Sequence, residues 1–249
     1  MSLARDLVRA IDPVALMADV GLVADPWQAA VLRSRAPRKA LACCRQSGKS
    51  TTAATKALAV SLYEPGALTL MLSPSLRQSA ELFKTTADYY RVLDGVPDPA
   101  AESALRLELP NRSRIVSLPG SSDTIRGFSR PRLLIVDEAA YCSDGLLSAL
   151  LPMIAASPDS ELLVMSSPGG TRGWFYTLFT SDESFEKTKI VWTDCPRIGA
   201  DAVELYRRTA GEMMYRQEFM AEFVDADAET VFPSHLIDAA FTDSVVPLW

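Results

Sequence analysis

The chain has 249 residues, of which 48% are hydrophobic and 22% are charged, so it can bury a large core as an ordinary globular protein does. No apolar run reaches the roughly 18 residues that a membrane-spanning helix needs, and the N-terminus shows no signal-peptide pattern. One histidine and four cysteines favour neither a zinc site nor a disulfide framework. We therefore expect a cytoplasmic protein with no membrane partner.

The net charge of −6 is distributed unevenly along the chain. Residues 201–249 contain ten acidic and three basic residues, whereas the remaining residues have a net charge of +1. An acidic protein can still bind nucleic acid through a local basic surface, because phosphate contacts depend on the local charge. The total charge therefore does not exclude a function on DNA.

The predicted elements alternate between helices and apolar strands. Residues 1–38 are predicted to be helical, with Pro13 and Pro26 in first turns behind the N-cap residues Asp12 and Asp25. Further helices are predicted at 49–63, 75–92, 201–209, 212–223 and 234–241, and strands at 40–44, 68–72, 133–136, 161–165 and 185–193. Uninterrupted apolar strands between helices indicate an α/β fold with a mostly parallel sheet, covered by helices on both faces.

Two further features refine this architecture. Segments 105–109 and 114–118 read as a hairpin around Pro110-Asn111. Beyond about residue 195 the pattern becomes helical and acidic. We therefore predict a core at residues 1–195 and a small helical lid at 196–249.

The strongest local motif lies between the first predicted strand and the helix at 49–63. Its sequence is Cys43-Cys44-Arg45-Gln46-Ser47-Gly48-Lys49-Ser50. In such a turn, successive backbone N–H groups and the positive end of the helix face the phosphates of a nucleotide. The lysine can reach the β- and γ-phosphates, and the hydroxyl of Ser50 can bind Mg²⁺. The motif therefore predicts a phosphate loop, although Cys43 stands where the usual pattern has a glycine.

A pair of acidic residues follows the apolar strand at 133–136. Asp137 and Glu138 then lie at the carboxyl edge of a buried strand, where ligands bind in open α/β sheets. We expect Asp137 to hold Mg²⁺ through its water shell and Glu138 to activate the attacking water as a general base. A third polar motif, Ser166-Ser167-Pro168-Gly169-Gly170, follows the next strand. Ser166 or Ser167 could sense the γ-phosphate there, or the segment could be a plain turn.

Taken in order, these motifs resemble those of the large subunits of tailed-phage terminases, the motors that package viral DNA. The resemblance covers about residues 25–225 and rests on segments 45–50, 117–120, 124–128, 134–140 and 166–168. In that family the phosphate loop carries an arginine, matched by Arg45, and tolerates the loss of its first glycine. The resemblance implies a P-loop NTPase of the additional-strand, RecA-like class that hydrolyses ATP with Mg²⁺.

The resemblance also implies roles for individual residues. Gln28, in Asp25-Pro26-Trp27-Gln28, matches an upstream glutamine that contacts adenine. Arg126 matches an arginine finger that reaches the nucleotide of a neighbouring subunit in a ring, while Arg45 supplies charge within its own subunit. A surface glutamine at position 28, and a salt bridge or DNA-phosphate contact at position 126, remain open. The nucleotide-binding residues are expected to be Gln28, Arg45, Gln46, Ser47, Gly48, Lys49, Ser50, Thr51, Ser166 and Ser167.

The partners implied by the resemblance are double-stranded DNA, further copies of the chain in a ring on the portal of the procapsid, and the terminase small subunit. The family also has a nuclease domain, and Val231-Phe232-Pro233 resembles the junction that leads to it. Because this junction lies close to residue 249, the sequence has no room for that domain, and nuclease activity is not expected in this chain. Two alternatives remain: another DNA-directed P-loop ATPase, such as a helicase, and a non-catalytic nucleotide-binding assembly module.

Overall fold

An eight-stranded sheet runs through the protein, which the computed structural model describes at residues 3–121, 125 and 127–225. The strands are β1 (Arg38–Cys43), β2 (Leu68–Ser73), β3 (Ala101–Ser103), β4 (Arg106–Glu108), β5 (Arg114–Pro119), β6 (Leu133–Asp137), β7 (Glu161–Ser166) and β8 (Glu186–Ile190). Their order across the sheet is β3-β4-β5-β2-β6-β7-β1-β8. The strands from β5 to β8 in this order are parallel, and β4 and β3 extend the β5 edge in antiparallel fashion.

Helices occupy most of the segments between these strands. They are α1 (Leu3–Ile11), α2 (Val14–Asp19), α3 (Pro26–Arg33), α4 (Lys49–Tyr63), α5 (Leu76–Val92), α6 (Asp144–Ala155), α7 (Trp174–Ser181), α8 (Ala200–Ala210) and α9 (Glu212–Glu218). Short 3-10 turns lie at Ala139–Tyr141 and Trp192–Asp194. No helix among the described residues is both long and apolar enough to cross a membrane.

The central strands are buried on both faces, and alternate residues belong to two separate cores. Met71, Ile135 and Leu163 pack with residues of α2 to α5. Their neighbours on the same strands, Leu134 and Leu162, pack instead with residues of α6 and α7. The two-residue period of a strand thus divides one continuous apolar run between two layers of helices. The predicted α/β architecture with helices on both faces is confirmed.

Most predicted elements appear within one or two residues of their expected positions. The helix at 49–63 has the predicted bounds, Ser75 caps α5, and Asp25 with Pro26 begins α3. The helix predicted at 212–223 is shorter, because α9 ends at Glu218 and Ala221 adopts a φ of 47°. The helix predicted at 234–241 and the junction at 231–233 lie outside the described residues. Helices α6 and α7 and strand β3 were not predicted.

A buried ion cluster lies at the amino end of the central strands, opposite the carboxyl edge. Lys39 is 1% exposed at its side chain, and its Nζ lies 2.5 Å from Oε1 of Glu161. Lys56 approaches the same oxygen at 3.0 Å. Burial lowers the pKa of Lys39, and the neighbouring carboxylate of Glu161 opposes that effect. One carboxylate thus pairs with two buried ammonium groups and joins β1, α4 and β7.

Candidate functional site

The segment between β1 and α4 forms a tight loop at the carboxyl edge of the sheet. Gln46 and Gly48 adopt left-handed backbone conformations, with φ of 58° and 98°. A Cβ atom on Gly48 would lie 2.8 Å from Nε2 of Gln28 and 3.2 Å from a terminal nitrogen of Arg197. The backbone conformation therefore requires glycine at position 48, and a Cβ atom there would also displace the Gln28 amide.

The acid pair follows β6 directly beside this loop. Asp137 is buried, and burial is the main cause that raises the pKa of its carboxyl group to about 6, with the nearby Glu138 adding to the effect and Lys49 opposing it. Glu138 adopts a left-handed φ of 50°, and its backbone N–H donates to Oδ1 of Asp137 at 3.0 Å. The turn therefore separates the two carboxylates, leaving Asp137 buried and Glu138 partly exposed.

Lys49, the first residue of α4, points across the edge of the sheet to this acid pair. Its Nζ donates to Oε1 of Glu138 at 3.0 Å. Burial works against the charge of Lys49, but Glu138 and Asp137 outweigh it and raise the pKa of the ammonium group. Oγ of Ser166, at the end of β7, lies 3.4 Å from the other carboxylate oxygen, Oε2. The start of α4 and the end of β7 therefore converge on one carboxylate, which itself follows β6.

The residues expected to hold Mg²⁺ face a common cavity. Ser50, Asp137 and Glu138 line a cavity of about 280 Å³, closed on its other side by α5. A hydroxyl and a carboxylate are hard oxygen donors, which magnesium prefers, and magnesium keeps several of its waters in such sites. The donors present therefore suit Mg²⁺.

Gln28 lies in the interior, since only 1% of the residue is exposed. Its Nε2 donates to the carbonyl oxygen of Gly48 at 3.3 Å and to Oγ1 of Thr52 at 3.2 Å. Its Oε1 accepts the backbone N–H of Asp25 at 2.9 Å. The side chain thus joins the start of α3 to the phosphate loop. The alternative of a surface glutamine at position 28 is therefore wrong. A contact with adenine stays a prediction.

Arg197 was not predicted, although it contacts the same loop. Its NH1 donates to Oδ1 of Asp25 at 2.7 Å, and its NH2 donates to the carbonyl oxygen of Ser47 at 2.9 Å. Arg197 lies in the coil after the 3-10 turn at Trp192–Asp194, in no recognisable motif. Only the fold brings it to the loop, which lies about 150 residues earlier in the sequence.

The remaining predicted residues occupy different positions around the loop. Arg45 is largely exposed, and its NH1 lies 3.6 Å from Oε2 of Glu218. The backbone N–H of Arg45 donates to the carbonyl oxygen of Glu218 at 2.7 Å. Thr51 shares a hydrogen bond of 3.2 Å with the hydroxyl of Tyr89. Ser167 is buried beside Ser166, whereas Arg126 lies outside the described residues.

The backbone of the segment after α9 also pairs with the chain near β8. The backbone N–H of Trp192 donates to the carbonyl oxygen of Phe219 at 2.9 Å. Cys44, in the phosphate loop, donates its N–H to the carbonyl oxygen of Ile190 at 2.8 Å. The loop therefore lies between the end of β8 and the end of α9, tied to both by main-chain bonds.

Comparison with solved structures gives a match over nearly the whole described chain. The ATPase domain of the large terminase of Thermus phage P74-26 superposes with a TM-score of 0.70 at 23% sequence identity, covering 84% of this chain and 97% of that domain. The chain has the fold of a large-terminase ATPase domain. The large terminase of the thermophilic bacteriophage D6E, solved in complex with ADP, gives a TM-score of 0.67 at 13% identity and covers 81% of this chain and 54% of that one.

Sequence comparison gives the same relationship to large terminases. The large terminase subunit of Thermus virus P23-45 is 29% identical over 171 residues, which are 61% of this chain and 35% of that protein. The chain therefore spans about a third of the length of this curated relative. No protein-family model matches the sequence. The predicted resemblance to terminase large subunits is confirmed.

Proposed function

We propose that this chain is the ATP-hydrolysing domain of a phage DNA-packaging motor. The observation that carries the proposal is the convergence of Lys49, Glu138 and Ser166 at the carboxyl edge of a parallel sheet, beside a glycine-dependent loop. A strand–loop–helix with a buried lysine and a facing carboxylate provides the groups that phosphoryl transfer from a nucleotide requires. The fold shared with large-terminase ATPase domains supports the same chemistry.

In this proposal the loop residues and Lys49 bind the phosphates of ATP. The N–H groups of residues 46–50 and the start of α4 attract the anion, and the ammonium group neutralises charge that develops on the β- and γ-phosphates. Ser50 and Asp137 would hold Mg²⁺, and the ion would supply further positive charge at the phosphate oxygens. The high pKa of Lys49 keeps the ammonium group charged for this role.

Glu138 is the proposed general base. A water attacks the γ-phosphorus, the bond to the bridging oxygen of ADP breaks, and Glu138 accepts the proton that the water loses. Lys49 and Ser166 contact the two oxygens of this carboxylate. Because Ser166 ends the neighbouring strand beside this carboxylate, we propose that it, or the adjacent Ser167, senses the state of the γ-phosphate.

The larger assembly follows from the relatives rather than from this site. We propose that this chain packages double-stranded DNA, forms a ring on the portal of the procapsid and binds a small subunit, because large terminases are its relatives. In such a ring Arg126 would complete the site of a neighbouring subunit. We also propose residues 196–249 as a lid, since α9 ends against the backbone of Arg45.

A turnover assay tests the proposal directly. The wild-type protein is incubated with ATP and Mg²⁺, and separately with ATP and EDTA. The variants Lys49→Ala and Lys84→Ala are assayed as a matched pair under the first condition. Lys84 lies exposed on α5, outside the cavity at the acid pair. We expect phosphate release that EDTA and Lys49→Ala abolish and that Lys84→Ala retains. Binding of ATP without any phosphate release, even at high protein concentration with double-stranded DNA, would favour the non-catalytic assembly module.

A further inference from the structure

Arg197 is held rigidly by hydrogen bonds at the edge of its guanidinium group. NH1 and NH2 lie 2.7 Å from the two carboxylate oxygens of Asp25, and NH2 also reaches the carbonyl oxygen of Ser47 at 2.9 Å. Asp25 is only 6% exposed at its side chain, whereas Arg197 is 50% exposed. Since guanidinium N–H bonds lie in the plane of the group, these contacts use its edge and leave its flat face for another partner.

A cavity of about 480 Å³ opens beside this arginine. Its wall includes Gly48 and Thr51, at the start of α4, together with Arg197 and the apolar side chains of Leu22 and Pro26. The volume lies in the range of pockets that hold small ligands. A nucleotide whose phosphates occupy the loop can therefore place its base in this cavity, next to the guanidinium group.

The other polar side chains of this wall, Asp25, Gln28 and Thr51, already have partners within the protein. Gln28 uses its amide for Gly48, Thr52 and Asp25, and it is almost entirely buried. The cavity surface is therefore mostly apolar, with one half-exposed planar cation among the residues that line it. Such a surface suits a flat aromatic ligand, which gains by stacking on a guanidinium plane and by burial against aliphatic groups.

We propose that Arg197 stacks on the base of the bound nucleotide in this cavity, which also contains Gln28, the residue that the resemblance already assigns to adenine. The inference rests on the proposed function and adds a residue to it. Asp25 and Ser47 orient the guanidinium group, so the same contacts that hold the phosphate loop also set the position of the base. The base thereby contributes to affinity independently of the phosphates.

Titration calorimetry with ADP and with pyrophosphate separates the base from the phosphates. Arg197→Lys keeps the charge and an ion pair with Asp25 but removes the planar face. We expect this variant to bind ADP roughly tenfold more weakly than the wild type, as loss of a cation–π contact implies, while its affinity for pyrophosphate stays within about twofold. Retained binding of pyrophosphate also shows that the variant is folded.

The matched control is Arg207→Lys. Arg207 is also exposed and ion-paired, and its guanidinium carbon lies 4.9 Å from the ring centre of Tyr215, but it does not line the cavity. This variant should bind both ligands as the wild type does. Unchanged affinity of Arg197→Lys for ADP would overturn the stacking role. An equal loss of affinity for ADP and for pyrophosphate would also overturn it, because such a loss indicates an effect on the phosphate loop alone. A wild-type protein that binds neither ligand would instead contradict the proposed function, and the inference with it.

Discussion

Nζ of Lys49 lies 3.0 Å from Oε1 of Glu138, so the proposed phosphate ligand and the proposed general base form an ion pair. Both side chains are partly shielded from solvent, with 10% and 24% exposed. The phosphates of a nucleotide would compete with Glu138 for this ammonium group. Binding and catalysis therefore depend on the same pair in different ways, and substitutions can separate them.

Lys49→Ala and Glu138→Ala should both abolish turnover but should differ in nucleotide affinity. Loss of the lysine removes a charged contact to phosphate and should weaken binding of a fluorescent ATP analogue by about tenfold or more. Loss of the glutamate should leave affinity near that of the wild type, because Glu138 acts mainly at the transition state, while the rate falls by at least about 10²-fold. Normal turnover by Glu138→Ala would rule out its assignment as the base.

Asp137→Asn should stabilise the metal-free protein at neutral pH. The folded carboxyl group has a pKa raised by burial to about 6, above its ordinary value of 3.8, so the folded state binds more protons than the unfolded state between these values. Its destabilising contribution is absent at low pH, grows between about pH 4 and 6, and reaches about 3 kcal/mol above that range. Urea unfolding should show a higher free energy of unfolding for the variant than for the wild type at pH 8, and no such difference at pH 4.

Asp182→Asn is the control for this pH dependence. Hydrogen bonds from Ser184 lower the pKa of this exposed carboxyl group, so its charge is favourable in the folded state. The control should show no gain at pH 8. Equal stability of the wild type and Asp137→Asn at that pH would mean that Asp137 is not destabilised by burial.

Arg126→Ala should lose turnover while the single subunit still binds ATP. An arginine finger supplied by a neighbour is worth about 10³-fold or more in rate, but it does not touch the nucleotide of its own subunit. Mixing inactive Arg126→Ala with inactive Glu138→Ala should restore some activity, because mixed interfaces pair an intact arginine with an intact base. Arg126→Lys should rescue poorly, since it lacks the planar fork.

Arg45→Ala should behave differently from Arg126→Ala in the mixing experiment. Arg45 lies in the phosphate loop of its own chain, so its removal should reduce activity without any dependence on assembly. Specific activity should also rise with protein concentration in the wild type if a neighbour completes the site. If mixing the two inactive variants restores no activity under conditions where the wild type forms rings, Arg126 does not act across subunits. Its role is then a salt bridge or a contact with DNA phosphate.

Glu161→Ala should destabilise the fold far more than an exposed change of the same type. Its carboxylate is the ion-pair partner of Lys39 and Lys56, whose side chains are largely buried, and its removal takes that partner from both ammonium groups. The expected loss in free energy of unfolding is about 3–5 kcal/mol. Glu64→Ala, which breaks a more exposed pair with Arg132, should cost less than about 1 kcal/mol by the same urea titration. Similar losses for both variants would contradict the role of the buried cluster.

The central sheet and the phosphate loop could be predicted because local sequence determines them. Continuous apolar runs mark strands buried on both faces, and Gly48 with Lys49 marks the loop that must follow such a strand. The segment at 144–155 was harder, since its eight apolar side chains show little amphipathic contrast and Pro152 lies within the helix. Strand β3 has three exposed residues and depends on pairing with β4, which no local pattern reveals.

Arg197 could not have been found from the sequence for a related reason. Its partners, Asp25 and Ser47, lie more than 140 residues away in the chain, and only the return of the backbone after β8 brings them together. Gln28 shows the opposite case. Its motif was visible, but its burial and its three hydrogen bonds depend on how α3 packs against α4.

The hydrogen bonds from Arg45 to Glu218 and from Trp192 to Phe219 join backbone atoms only. Apart from proline at a donor position, no substitution deletes the donor or the acceptor of either bond, so the bonding groups themselves do not depend on which side chains are present. The two bonds also define a path for mechanical load. A force on the chain beyond residue 219 would therefore act close to a main-chain bond of the phosphate loop, the one between Arg45 and Glu218.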